Sequence, residues 1–150
     1  MKYSNIRALA KKHHILLIYL FGSQAERGNR YLQDEDVKID PFADLDVAIA
    51  LENPPADAMK TYGVLYKEIS EIFDPFNIDL IIMHEVNTLF QYEIIKGVRI
   101  YEKDESYADD FEERIMKRFE DLSFKKRILN NEIMEAIEDG YFEFEYSPNS

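Results

Sequence analysis

Apolar residues along this chain change period several times, and each change marks an element. Ile6, Leu9 and Ala10 recur at helical spacing and predict a helix over 4–14, with Ser4 able to cap its start. The run ILLIYLF (Ile15–Phe21) reads as a buried strand stopped by Gly22-Ser23. Over 29–43 the pattern dissolves into NRYLQDEDVKIDPFA, which predicts a long loop. Strand periodicity returns in DLDVAIAL (Asp44–Leu51) and breaks at Asn53-Pro54-Pro55. Over 56–73, Met59, Tyr62, Leu65, Tyr66, Ile69 and Phe73 form a helical face, stopped by Pro75. NIDLIIM (77–83) reads as a third strand, 88–96 as a short helix closed by Gly97, and 98–101 as a short edge strand.

Beyond Lys103 the strand signal disappears. Phe111, Ile115, Phe119 and Leu122, then Ile128, Ile133 and Ile137, recur at helical steps, as in a helical hairpin or one long broken helix; the final FEFEYSPNS is expected to fray. The fold class expected is α/β (α+β), a short mixed β-sheet with helices on one face. A core over 1–102 would carry a C-terminal helical extension over 103–150, packed on the core or on a partner.

Composition narrows the function classes. The 150 residues suit a single domain, and 46% apolar with 32% charged residues is a globular balance. With no cysteine, disulfides, thiolate metal sites and cysteine nucleophiles are excluded. The apolar run near the N-terminus leads into Gly-Ser and charges rather than a cleavage site, and no stretch reaches the about 18 apolar residues of a membrane span. A soluble, cytoplasmic protein is expected, with no membrane contact. The net charge of −12 would repel a phosphate backbone, which argues against direct nucleic-acid binding. Residues 102–145 hold 15 acidic and 7 basic side chains, so the negative charge concentrates where a basic protein partner could dock, in a possible hetero-oligomer.

Candidate chemistry follows from strand parity. Asp44, Asp46, Ala48 and Ala50 share one face of DLDVAIAL, opposite Leu45, Val47, Ile49 and Leu51, and Asp79 shares a face with Ile81 in NIDLIIM. If these strands are neighbours, three carboxylates converge at one end of the sheet. An all-oxygen donor set suits a hard cation such as Mg²⁺, completed by water and substrate phosphates. Gly22 and Ser23 end a buried strand and can cradle those phosphates, Gly by close backbone approach and Ser23 by its hydroxyl. Singly, Gly-Ser is also an ordinary turn, Asp-x-Asp a strand cap, and Asp79 the partner of a buried cation. Their order along the chain, each joined to a strand, is more specific.

FGSQAERG followed by DLDVAIAL and NIDLII resembles the nucleotidyltransferases of the polymerase-beta type in their shortest form. The resemblance implies that Gly22 and Ser23 bind the nucleoside triphosphate, that Asp44 and Asp46 bind metal, and that Asp79 assists both metal and nucleophile. Mg²⁺ would be the cofactor and ATP the substrate. GVRIYEKD and the segment carrying Phe111, Phe119, Asp121 and Phe124 are similar to the C-terminal part of minimal nucleotidyltransferase antitoxins. That similarity implies an antitoxin that transfers AMP to a tyrosine hydroxyl of a HEPN-type ribonuclease toxin. The chain departs from the family in spacing: twenty positions separate Ser23 from Asp44, and Asp34-Glu35-Asp36 lies where the family's pair usually falls. Asp44 and Asp46 remain the candidates because VAIAL supplies the strand that must hold them. The 29–43 insertion would be a mobile lid, a substrate loop or a tolerated surface insertion.

Other groups carry less. His13 and His14 sit at a helix end as exposed residues usually do, and His84 stands alone; Arg27 either contacts triphosphate oxygens or lies on the surface. Two alternatives stand beside protein adenylylation: a small-molecule, antibiotic-modifying nucleotidyltransferase, and an antitoxin that acts by binding without chemistry.

Overall fold

The computed structural model describes residues 1–138 of the chain. Five helices and four strands follow one another as α1 (Lys2–Lys12), β1 (Ile15–Phe21), α2 (Ala25–Leu32), β2 (Asp44–Leu51), α3 (Ala58–Phe73), β3 (Asn77–Ile82), α4 (Thr88–Ile95), β4 (Val98–Glu102) and α5 (Glu105–Glu138), with a 3₁₀ turn, Met83–Glu85, before α4. The strands form one mixed sheet in the order β3-β2-β1-β4. β1 is antiparallel to both β2 and β4, while β2 and β3 are parallel, the connection between them running through α3. This is the mixed α/β class expected.

The parity of the strands decides what covers each face. Ile18, Leu20, Leu45, Val47, Ile49, Ile78 and Leu80 bury against α1, α2 and α3, through residues such as Ile6, Leu9, Leu32, Leu65, Ile69 and Phe73. On the opposite face Leu17, Tyr19, Ala48 and Ala50 meet Met83, Ile94 of α4, and Ala108, Phe111 and Ile115 of α5. The one-faced arrangement thus holds for three helices, whereas α4 and the first turns of α5 close part of the second face. The short side chains of Ala48 and Ala50 give them room. What stays open on that face is the end where β2 and β3 begin.

Four expectations need correction in detail. Ser4 lies inside α1, whose N-cap position is Met1 with no side-chain cap. Asp34 instead reaches the amino terminus and Lys2, both at 3.3 Å, and places negative charge at the positive end of the helix. Residues 29–32 belong to α2 rather than to a loop. Its buried face is Ala25, Gly28 and Leu32, and two of those residues are too small to register as a hydrophobic stripe. A Cβ at Gly28 would come within 2.8 Å of Leu45 and 3.0 Å of Leu20, so glycine sets how closely α2 approaches the sheet. The remainder of the insertion is tied down: Val37 and Ile39 pack on the core, and the Asn77 amide donates to the Pro41 carbonyl at 3.1 Å. On α3 only Leu65, Ile69 and Phe73 are buried, and Met59, Tyr62 and Tyr66 face solvent.

The C-terminal series is neither a hairpin nor broken but one helix of 34 residues. Its first turns are locked to the sheet by a polar cluster, in which the buried Tyr19 hydroxyl donates to Glu112 and Arg99 of β4 pairs with the same carboxylate at 2.8 Å. Burial first, and then the Glu112 charge, push the Tyr19 phenol far above its ordinary pKa, so it stays a hydrogen-bond donor. Phe119 stacks on Tyr92 of α4 at 3.8 Å between ring centroids. Leu122, Leu129, Ile133 and Ile137 continue the apolar stripe beyond the core and remain exposed. The FEFEYSPNS segment lies outside the described residues. Among the described residues no helix is long and apolar enough to cross a membrane.

Candidate active site

The site forms where β1 ends and β2 and β3 begin. Phe21 pairs with Asp46 across β1 and β2, and Asp46 is directly opposite Asp79 across β2 and β3, with Asp44 opposite Asn77. Gly22, the residue after β1, therefore lands beside Asp46. Its φ is +75°, a conformation that side chains oppose, and a Cβ there would stand 2.3 Å from Asp46 Oδ2. The glycine thus serves both the turn and the carboxylate. α2 begins three residues later with Gln24 at its N-cap position, so the open amides of its first turn lie next to the Gly22-Ser23 turn.

Asp46 is half-buried, while Asp44 and Asp79 are exposed. Burial, followed by the negative charges of Asp79 and Asp44, holds the Asp46 carboxyl above the usual range, and Asp79 lies within hydrogen-bonding reach of it. Among the described residues no three His, Asp or Glu groups are drawn tightly enough to enclose an ion by themselves. The arrangement is an Asp46–Asp79 pair with Asp44 one step outward. That is an incomplete, oxygen-only donor set whose mutual repulsion a cation would relieve. It fits Mg²⁺, which takes a few carboxylates and fills its remaining positions from water and phosphate.

A cleft of about 320 Å³ opens beside this corner, lined by Gly22, Ser23, Ala25, Glu26, Glu93, Lys96, Gly97 and Val98. Lys96 and Gly97 had no site role in the sequence, where Gly97 reads only as a helix stop. Here a Cβ at Gly97 would lie 2.2 Å from the Leu20 carbonyl oxygen, so glycine lets the α4–β4 turn close over the end of β1 and places Lys96 at the cleft, its amine paired with Glu93 at 2.8 Å. Gln24 is a second addition. It is nearly fully buried, its amide donates to Ser23 Oγ at 3.4 Å, and Arg27 donates to its carbonyl oxygen at 3.4 Å, which orients both polar groups at the Gly22-Ser23 turn.

The residues set aside lie elsewhere. His13 meets Glu68 at 2.6 Å, His14 stands 3.9 Å from Glu52, and His84 packs edge-on against Phe111. Asp34, at the family's usual spacing, is engaged with the start of α1 rather than with the sheet.

The corner thus joins a Gly-Ser turn, an Asp-x-Asp strand and a third carboxylate on the neighbouring strand. The family described as "Polymerase beta, Nucleotidyltransferase" matches residues 4–106. The chain belongs to that family and is a nucleotidyltransferase. Comparison with curated proteins finds no match. Among solved structures, a mutant MntA-HpeT toxin-antitoxin superimposes with a TM-score of 0.63 at 14% identity, over 89% of this chain and 99% of that one. A toxin-antitoxin with AMP-PNP gives 0.60 at 15% identity, over 89% and 99%. The tri-AMPylated Shewanella oneidensis HEPN toxin in complex with MNT antitoxin gives 0.59 at 15% identity, over 89% and 96%. At these identities the likeness establishes a shared fold.

Proposed function

We propose that this chain is an antitoxin that transfers AMP from ATP to a hydroxyl, a tyrosine in the first instance, of a HEPN-type toxin in the cytoplasm. The observation that carries the chemistry is the facing of Asp46 and Asp79 across β2 and β3 directly beside the Gly22 turn. The fold shared with toxin-antitoxin structures, one holding AMP-PNP and one an AMPylated HEPN toxin, supports the nucleotide and the partner.

In this reading Gly22 and Ser23, with the first amides of α2, hold the triphosphate, and Lys96 faces the same cleft. Asp44, Asp46 and Asp79 would hold Mg²⁺, which would neutralise phosphate charge there and lower the barrier to attack. The acceptor oxygen forms a bond to the α-phosphorus as the bond to the bridging oxygen breaks and pyrophosphate leaves; Asp79, exposed on the edge strand, accepts the hydroxyl proton. The half-buried Asp46 is less accessible to an acceptor hydroxyl than the exposed Asp79. The exposed stripe on the distal half of α5, Leu122, Leu129, Ile133 and Ile137, supplies apolar contact for the partner, since Phe111 and Ile115 are committed to the core.

Co-expression with a HEPN toxin encoded beside this chain, followed by intact-mass analysis, tests the proposal. One or more AMP increments on the toxin are expected, absent with Asp44→Asn or Asp79→Asn and retained with Asp34→Asn. A toxin silenced at unchanged mass would leave an antitoxin that acts by binding alone.

A further inference from the structure

Met59, Tyr62 and Tyr66 stand at i, i+3 and i+7 on α3, and so share one face of the helix. They are 88%, 38% and 41% exposed, although they continue the stripe whose other members, Leu65, Ile69 and Phe73, are core. The patch is ordered rather than loose. The Tyr62 hydroxyl donates to the Leu80 carbonyl of the edge strand β3 at 3.0 Å, and its ring stacks on Tyr66 with centroids 6.3 Å apart and planes at 22°. Gly63, in the same stretch, has no atom within 4 Å of the place a Cβ would occupy, so the surface there is an open shelf. Burial and then the negative charge of Asp79, with Tyr66 and Glu85 adding to it, raise the Tyr62 phenol above its ordinary pKa, as expected where the shelf adjoins the site's acidic rim.

Its position across the sheet gives the shelf meaning. The phosphate cleft lies at the β1–β4 side, Asp46 is on β2, Asp79 on β3, and the shelf stands against β3. In-line displacement places the entering oxygen opposite the departing pyrophosphate. With pyrophosphate held over β1, the acceptor comes in from the β3 edge, where Tyr62 of α3 reaches the backbone carbonyl of Leu80, the residue after Asp79. We propose that Met59, Tyr62 and Tyr66 form the docking shelf for the acceptor segment of a protein substrate, and that they present its hydroxyl to Asp79.

This rests on the reading of the chain as an AMP transferase acting on a protein. An open shelf of methionine and aromatic side chains has the makeup of a protein interface centre, whereas small ligands are recognised by enclosure. The adjoining carboxylates, Asp79 and Glu85, select an acceptor segment with basic residues beside its hydroxyl.

The test uses the full chain carrying Met59→Ser with Tyr66→Ser, which leaves the Tyr62 bond to Leu80 in place, and a control variant, Val64→Ser, which removes an exposed apolar side chain from α3 outside the shelf. Labelling of a co-expressed HEPN toxin is followed with α-labelled ATP, alongside Mg²⁺-dependent binding of a fluorescent ATP analogue and the thermal midpoint. Expected for the double variant is a KM for toxin raised about tenfold or more, the loss typical of removing an interface anchor. ATP affinity and kcat at saturating toxin should stay within about twofold and the midpoint within about 2 °C, and Val64→Ser should label at close to the parent KM, differences below the tenfold step that about 1.4 kcal/mol would produce. An unchanged toxin KM would overturn the proposal, as would a parallel loss of ATP affinity, which would make the shelf a nucleobase platform. A parent chain that labels no toxin would instead bring down the functional reading and the shelf with it.

Discussion

Replacing Asp46 with asparagine should make the metal-free protein more stable and the enzyme inactive. Asp46 sits half-buried opposite Asp79 with Asp44 nearby, and burial and those two charges raise its pKa. A carboxyl whose folded pKa lies above its unfolded value binds its proton more tightly when folded. Its contribution is therefore most favourable at low pH and is lost as pH rises through the raised folded value; at neutral pH the ionised group is a net cost. Each unit of pKa corresponds to about 1.4 kcal/mol, and solvent screening at a partly exposed site reduces what is realised, so relief on the order of 1 kcal/mol is expected from a neutral isostere. For a domain of this size that is roughly 2–4 °C in thermal midpoint. Thermal melts at pH 7.5 in EDTA and in Mg²⁺, paired with AMP-transfer assays, make the comparison. The parent chain should gain stability from Mg²⁺, and Asp46→Asn should start higher in EDTA, gain less and transfer no AMP. A variant that melts lower in EDTA would show that Asp46 is stabilised by its neighbours rather than opposed by them. One that keeps full transfer would refute its placement in the site.

Other substitutions probe separate parts of the fold. Gly22→Ala places a side chain where φ is +75° and 2.3 Å from Asp46 Oδ2, so about 1 kcal/mol of backbone strain and a displaced carboxylate should lower Mg²⁺-dependent ATP affinity about tenfold or more, read by titration with a fluorescent analogue. Glu112→Ala strips the buried Tyr19 hydroxyl of its partner and should cost about 2 kcal/mol in urea unfolding, with earlier proteolysis of α5. Leu129→Glu with Ile133→Glu, both exposed on the distal α5 stripe, should leave the thermal midpoint within about 2 °C yet weaken toxin capture in pull-down, since surface changes away from the core cost little.

Strand parity carried most of what was legible. A period of two in DLDVAIAL separates the aspartates from Leu45, Val47 and Ile49 whatever the neighbours are, and the structure buries those three against α1–α3 while leaving the Asp44 end open. The strand argument and the family spacing disagreed over Asp34 and Asp44. In the structure Asp34 serves the start of α1, and Asp44 and Asp46 lie on β2. Length along the chain is a poor ruler here because α2 and the strapped segment after it fill the gap without displacing either end. Interactions that depend on absent side chains left no signal. α2 was hidden because Gly28 and Ala25 pack by being small, and Gly97 read as a helix stop because its second task, admitting the Leu20 carbonyl, shows only when β4 lies on β1.

The helices show the opposite limit, where a visible pattern had two uses. A stripe of apolar residues says that a helix face will be covered, but not by what. On α3 the single stripe expected divides into core residues Leu65, Ile69 and Phe73 and an exposed set, Met59, Tyr62 and Tyr66, because the helix crosses the edge of the sheet where, among the described residues, β3 has no further neighbour. On α5 the division is along the axis. Ala108, Phe111 and Ile115 reach Tyr19, Ala48 and Ala50, and beyond Phe119 the helix outruns the sheet that covered it. In both helices the exposed portion begins where the sheet stops. The length of helix beyond a four-stranded sheet therefore sets how much apolar surface is left for other molecules, and on α3 that surface is tied by Tyr62 to Leu80, the residue after Asp79, while on α5 it projects away from the core.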